Sequence, residues 1–304
     1  MKDDDMVGGQ EQQESTSQRP DMTAFLNGRF MPQSQAIEEM KQDGVQSTGG
    51  FYDNERTFAG KIFRLEDHLH RLYNGLDYTK IDPGMTLPQM ADTTMKVLEA
   101  NVEYLGPQEE FLVTQIVSPR PNAAPDEKAN VVIYCQFLET AHFALHYTEG
   151  IRLVTPATYG IPTQNQKPGK GPVTMQLMMN AEGNITECQG GNFIFVRGGR
   201  IQLPNRRNVL PGVSMKTVLE LAGELDIPID EGDYVPGDVY EATEALVTST
   251  RFCMAPVVSL NGLGIGTGLR GPIIKKLFGL WKEMVGLDFV RQAVSRTETH
   301  GPIS

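Results

Sequence analysis

The chain has 304 residues, with 27 Lys and Arg against 38 Asp and Glu and a formal net charge of −11. That length gives room for two domains or one large one. The acidic balance, with no basic stripe, argues against nucleic acid as a partner, and no run of about 18 apolar residues offers a membrane span. Cys135, Cys188 and Cys253 are widely spaced and show no CxxC, which argues for a reducing compartment and against a disulfide framework or a zinc site. The opening MKDDDM lacks the apolar core of a secretory signal, so a cytoplasmic protein is expected.

Residues 1–20 are acidic and rich in Gln and Ser, the composition of a disordered tail. Order is expected from Thr23–Leu26, which turns at Asn27-Gly28 into Arg29–Met31, a hairpin signature. Strand character returns at Phe51-Tyr52 and Glu55–Phe58. The segment 62–81 predicts a helix with Leu65, Leu69, Leu72 and Leu76 on its buried face. Arg71 lies off that stripe and reads on its own as a solvated charge. Asp67, His68 and His70 invite a metal reading, but residues two apart on a helix point about 200° apart, so surface positions and no metal are expected. A second helix is expected near Leu87–Leu105. Strands at Phe111–Val117 and Asn130–Leu138 follow, separated by a loop containing Pro119, Pro121 and Pro125. Helices and strands mixed in this way indicate an α+β domain over 21–140, with 141–149 as its connection to the next.

The second half, 150–296, opens with a strand at Ile151–Thr155. The stretch 158–172 is a loop by its prolines and glycines and carries Lys167 and Lys170. Strands at Met175–Met179 and Asn192–Val196 flank the turn Asn180–Asn184 and a bridging segment that holds Glu187 just before Gly190-Gly191. A carboxylate beside glycines, where backbone lets a ligand approach, is a candidate partner for a buried cationic nitrogen; a solvated strand-end glutamate is the alternative. Cys188 has no histidine near it in sequence and reads as a buried spectator. A helix is expected just after Pro211-Gly212, with Val218, Leu221, Ala222 and Leu225 inward. Its first turn, Gly212-Val213-Ser214, offers unpaired N–H groups and a hydroxyl, which suits an anion. Glu244–Val247 reads as a strand running into Thr248-Ser249-Thr250-Arg251, a second hydroxyl-rich end. Residues 266–271 match GxGxxG, but no later strand could carry a ribose-binding acid, so these glycines read as a loop before the helix Pro272–Val285. Residues 297–304 are a tail.

Taken in order, FLNGRF, FRLEDHLHRL, GNITECQGGNFIFV, LPGVSMKTVLELA, EALVTST and IGTGLRGPI resemble the class IV pyridoxal-phosphate aminotransferases. This group holds branched-chain and D-amino-acid aminotransferases and aminodeoxychorismate lyase. The likeness runs from about Ala24 to the last helix. It implies two α+β domains with pyridoxal 5'-phosphate in the cleft between them, a homodimer, and amino acid and 2-oxo acid substrates, branched-chain by default. By the same resemblance Arg71, Val213-Ser214 and Thr250 would bind the cofactor phosphate, and Glu187 would pair with the pyridinium nitrogen.

One family element departs from the pattern. The lysine that holds the cofactor covalently is normally followed by a helix and a strand before the glutamate. Here 16 residues separate Lys170 from Glu187, most of them one strand and its turn, and the family's tyrosine shortly after the lysine is absent. Lys170 is favoured over Lys167 as the catalytic lysine because Gly169 and Gly171 let its backbone bend inward. Two alternatives stand beside the aminotransferase: a disabled relative that keeps only cofactor or partner binding, and a lyase of the aminodeoxychorismate type.

Overall fold

Asn27 and Gly28 both take positive φ, 47° and 89°, the backbone that an Asn-Gly pair adopts most readily in a tight hairpin turn. They join β1 (Thr23–Leu26) to β2 (Arg29–Pro32), paired antiparallel. The computed structural model describes residues 19–42, 50–120, 127–155 and 173–300; the expected tail at 1–20 falls outside these ranges except for its last two residues.

The first half builds a six-stranded antiparallel sheet. After α1 (Gln33–Gln42) come β3 (Phe51–Phe58), β4 (Lys61–Ile62), α2 (Leu65–Thr79), α3 (Leu87–Glu99), β5 (Phe111–Ser118) and β6 (Asn130–Phe137). The sheet order is β2-β1-β6-β5-β3-β4. Alternation along β6 sorts its two faces. Val131, Ile133 and Cys135 pack with Leu69, Leu72 and Leu76 of α2 and Met90 and Val97 of α3, whereas Val132 packs with Ala36 and Met40 of α1. The second helix stops at Glu99 rather than running to Leu105. Asn101 breaks it by bonding its side chain to both backbone groups of Thr23 and to the Val97 carbonyl, after which Val102–Tyr104 form a single 3₁₀ turn.

A 3₁₀ turn at Thr140–Phe143 and α4 (Ala144–Thr148) lead into the second sheet, with Tyr147 buried and its hydroxyl donating to the Phe252 carbonyl. The strands are β7 (Ile151–Val154), β8 (Val173–Met179), β9 (Ile185–Cys188), β10 (Asn192–Arg197), β11 (Arg200–Pro204), β12 (Ile229–Gly232), β13 (Glu244–Ser249), β14 (Cys253–Leu260) and β15 (Leu263–Gly264). Their order is β12-β11-β10-β13-β14-β7-β8-β9, with β15 on β14. The bridging segment around Glu187 is itself strand β9, antiparallel to β8, and its Ile185 N–H donates to the Tyr234 carbonyl. Helices α5 (Val213–Glu224), α6 (Pro236–Val239), α7 (Pro272–Val285) and α8 (Phe289–His300) are the remaining helices among the described residues. Val218, Leu221 and Ala222 of α5 and Ile274, Leu277 and Trp281 of α7 join one core with Phe193, Phe195 and Leu246.

The GxGxxG loop is not a phosphate cradle. The Glu244 carboxylate accepts from the Ile273 and Ile274 N–H groups at 3.0 and 2.8 Å, so a protein anion already occupies the start of α7. A Cβ on Gly271 would fall 2.2 Å from that carboxylate carbon, which explains the last glycine of the motif. The two sheets meet through Arg56 of β3, whose Nη1 donates to the Arg251 carbonyl at 3.1 Å and to Cys253 Sγ at 3.3 Å. This is a two-domain α+β fold with a cleft between its halves.

Candidate functional site

Helix α2 turns Arg71 back onto strand β3. Its Nε and Nη2 donate to Asp53 at 2.8 and 2.5 Å, a two-point fork on one carboxylate. Nη1 has no partner among the described residues. Asp53 also meets His68 Nδ1 at 2.8 Å, and both side chains are 2% exposed. His68 is therefore a core residue and not the surface histidine that the sequence suggests; His70, two positions on, is exposed and Asp67 half-buried. Burial alone would raise the Asp53 carboxyl, but the hydrogen bonds from His68 and Arg71 hold it below the ordinary range. Burial likewise lowers the His68 imidazole despite the attraction of Asp53, so a neutral ring donating from Nδ1 fits the pair.

Helix α5 supplies the second part. Gly212 is its N-cap and makes no side-chain cap, leaving the first-turn N–H groups of Val213 and Ser214 open; both residues are buried. Arg71, Gly212 and Val213 line one cleft of about 500 Å³ between α2 and α5, together with His70, Arg206 and Lys216. Asp67 and Glu220 line it too, so its wall carries both signs of charge beside the open helix-start N–H groups. Lys216 is held by Asp67 at 2.6 Å, and Arg64 pairs with Glu220, so two ion pairs fasten α2 to α5 beside the cleft.

Glu187 is half-buried, not a free strand-end carboxylate. Its Oε2 accepts from the Leu210 N–H at 3.0 Å and from Asn192 Nδ2 at 3.5 Å. Asn192 in turn donates to the Leu210 carbonyl at 2.9 Å, and it pairs with Thr248 across β10 and β13. One asparagine thus ties Glu187, the approach to α5 and the end of β13 together. The packing is close: a Cβ on Gly212 would lie 2.0 Å from Asn192 Oδ1, and one on Gly191 would lie 2.5 Å from the Thr248 carbonyl. Thr250 follows β13 and is half-buried, while Thr248 Oγ1 is buried and unpartnered among the described residues. Cys188 is fully buried, its thiol pushed up by burial, which suits a spectator and not a nucleophile. Lys167 and Lys170 lie outside the described residues.

The Arg71 fork and the open start of α5 thus share one cleft, and comparison with known proteins gives the chain a family. The model for amino-transferase class IV matches residues 50–260. The chain belongs to the class IV aminotransferases. Among curated members it is 24% identical over 281 residues to a putative branched-chain-amino-acid aminotransferase of Methanocaldococcus jannaschii, covering 86% of this chain and 96% of that one. It is 22% identical over 284 residues to the D-alanine aminotransferase of Listeria innocua, covering 87% and 96%. The fold matches the branched-chain amino acid aminotransferase of Escherichia coli at a TM-score of 0.74 and 18% identity, over 88% of this chain and 95% of that one. It also matches that of Thermoproteus uzoniensis at 0.71 and 23%, over 87% and 94%.

Within this class IV chain, Asp53, His68 and Asn192 are the site-building residues that motif reading misses. Asp53 and Glu55 occupy the inward positions of β3, beside α2, and two acids two apart on a strand that packs against a helix are the available signal.

Proposed function

We propose that this chain is a pyridoxal-phosphate-dependent aminotransferase that moves an amino group between an amino acid, branched-chain by resemblance, and a 2-oxo acid. The observation that carries the reading is Arg71, oriented by Asp53 with Nη1 left over, in the same cleft as the open start of α5. Guanidinium and helix-start N–H groups together are the donors a phosphate dianion needs. The hydroxyls of Ser214 and Thr250 would add neutral donors, and the orphaned Thr248 Oγ1 marks a further polar group at that strand end.

Glu187 supplies the other requirement. One of its carboxylate oxygens is fixed by Leu210 and Asn192, and Oε1 carries no hydrogen bond among the described residues. An oriented anion there would hold a proton on the ring nitrogen of the cofactor. Bound pyridoxal phosphate would supply the electron sink for chemistry at the substrate α-carbon. Lys170, with Lys167 as the nearby alternative, would hold the cofactor covalently and move the α-proton. Asp53 would keep the Arg71 fork in place, and Asn192 would keep Glu187 in register with α5.

A second reading, a class IV relative that binds the cofactor without transamination, is favoured by the short spacing between Lys170 and Glu187. Steady-state amino transfer to 2-oxoglutarate separates the two. L-leucine, L-valine and L-isoleucine are the donors for the branched-chain reading, and D-alanine is the control for the other relatives. Transfer from the branched L-amino acids is expected. Transfer from D-alanine alone would move the substrate class, and no transfer from any donor by cofactor-loaded protein would favour the second reading.

A further inference from the structure

Glu55 is the least explained charged side chain among the described residues. It is 0% exposed, and both carboxylate oxygens lack a hydrogen-bond partner. One of them lies within 4.8 Å of an Asp53 oxygen and of a His68 ring nitrogen. An ionised carboxylate in that state is costly, because burial removes its hydration and a second anion stands beside it. The Gln115 side chain, opposite Asp53 across β3 and β5, lies against Glu55. Its Nε2 donates to Thr94 Oγ1 at 3.2 Å, and its Oε1 is buried and unpartnered. Both Glu55 oxygens and Gln115 Oε1 are therefore buried acceptors without a hydrogen bond of good geometry, and the nearby Gln115 amide offsets only a small part of the burial and charge that disfavour the ionised Glu55. A single proton on Glu55 resolves the conflict.

We propose that Glu55 is a neutral, protonated carboxyl in the native protein, its hydroxyl donating to the Gln115 amide oxygen, and that this leaves Asp53 as the one anion bound to Arg71. Glu55 is then a positioning residue for the phosphate anchor, acting through Asp53, and this role rests on the reading of Arg71 given above. The groups that face it are Asp53 on its own strand, His68 and Arg71 from α2, Gln115 from β5 and Cys135 from β6. Burial first, and the Asp53 charge second, hold the Glu55 carboxyl well above the ordinary range. Two carboxylates and an imidazole also match the donor count of a divalent ion. Arg71 already engages both Asp53 oxygens, however, and its positive charge opposes a cation there. When Glu55 ionises at alkaline pH, a second negative charge is added beside Arg71, and the phosphate is held less tightly.

The test begins with the wild-type protein. Infrared difference spectra at neutral pH, with and without carbon-13 glutamate, should show the carbonyl stretch of a protonated carboxyl. Metal analysis of the same sample should find no stoichiometric divalent ion. Pyridoxal phosphate affinity is then measured against pH for wild type and E55Q. Between about pH 7 and pH 10 the wild type should lose about tenfold more affinity than E55Q, whose amide cannot ionise. Absence of the carbonyl band, a stoichiometric metal ion, or identical pH profiles in the two proteins would each overturn the proposal. The infrared arm decides it even if E55Q does not fold. No pyridoxal phosphate binding at any pH, with the band present, would overturn the cofactor reading and Glu55's role toward Arg71 while leaving the proton itself in place.

Discussion

Asp53 and Arg71 are joined at two points, Nε to Oδ2 at 2.8 Å and Nη2 to Oδ1 at 2.5 Å, across strand β3 and helix α2. The fork leaves Nη1 of the guanidinium without a partner among the described residues and holds it in a fixed direction. Under the proposed function, the anion-binding strength of Arg71 would depend on Asp53.

Lysine cannot reproduce a two-point fork and still present a third donor. Arg71→Lys is therefore expected to weaken pyridoxal phosphate binding by about tenfold to a hundredfold, corresponding to the loss of one charged hydrogen bond, about 1.5–3 kcal/mol. Equilibrium titration of cofactor fluorescence checks this. An unchanged affinity would remove Arg71 from the phosphate site.

Asp53→Asn keeps the shape of the side chain and removes its charge. Breaking a buried pair from one side costs about 3–5 kcal/mol; Arg71 keeps partial solvent contact, so the lower end is expected. The variant should unfold at lower denaturant concentration and also bind the cofactor less tightly. Loss of stability with unchanged cofactor affinity would mean that Asp53 serves packing alone.

The same cluster shapes stability against pH. The folded Asp53 carboxyl is depressed, so its contribution is present above the ordinary value of 3.8 and is lost as pH falls below it. The folded Glu55 carboxyl is raised above 4.5, so stability is greatest below that value and falls as pH rises through the folded one. Each unit of displacement corresponds to about 1.4 kcal/mol. Denaturant unfolding from about pH 4 to pH 9 should show wild-type stability declining on the alkaline side, with a flatter curve in E55Q. Parallel curves would contradict the assignment.

Gly212 leaves no room for a side chain against Asn192, because an added Cβ would lie 2.0 Å from Asn192 Oδ1. Gly212 has a φ of −66°, which any residue accepts, so the conflict is one of space and not of backbone strain. Gly212→Ala should destabilise the protein by about 1–3 kcal/mol. In the background of Asn192→Ala the same change should cost less, with a coupling of at least about 1 kcal/mol in a double-mutant cycle. Simple additivity would show that the two side chains do not meet.

Part of the candidate site is legible in the sequence. The motif at HLHRL and the glycine-led start of α5 point to Arg71, Gly212 and Val213, which line one cleft, whereas Glu187 is tied to the approach to α5 through Leu210 and Asn192 and does not line that cleft. Periodicity placed α2 to within three residues at each end, because its leucine stripe is regular. His68 lies three positions after Leu65 and four before Leu72, on the buried face of the leucine stripe, where a single polar residue carries no periodic signal of its own. Asp53 escaped because its partner is 18 residues away, beyond the reach of any local pattern. Asn192 looks like the ordinary start of a strand, and its role as a tie among β9, β13 and α5 exists only once the sheet has formed. Propensity favoured helix through Leu105, but the tertiary bonds of Asn101 to Thr23 ended it early.

The most direct measurement is borohydride reduction of the purified protein with pyridoxal phosphate, followed by digestion and peptide mapping. The account predicts one phosphopyridoxyl group per chain, on Lys170 or its neighbour Lys167, and loss of that adduct in Arg71→Lys at limiting cofactor. A folded protein that acquires no adduct in the 167–170 segment, or only scattered label on exposed lysines such as Lys216, would contradict it.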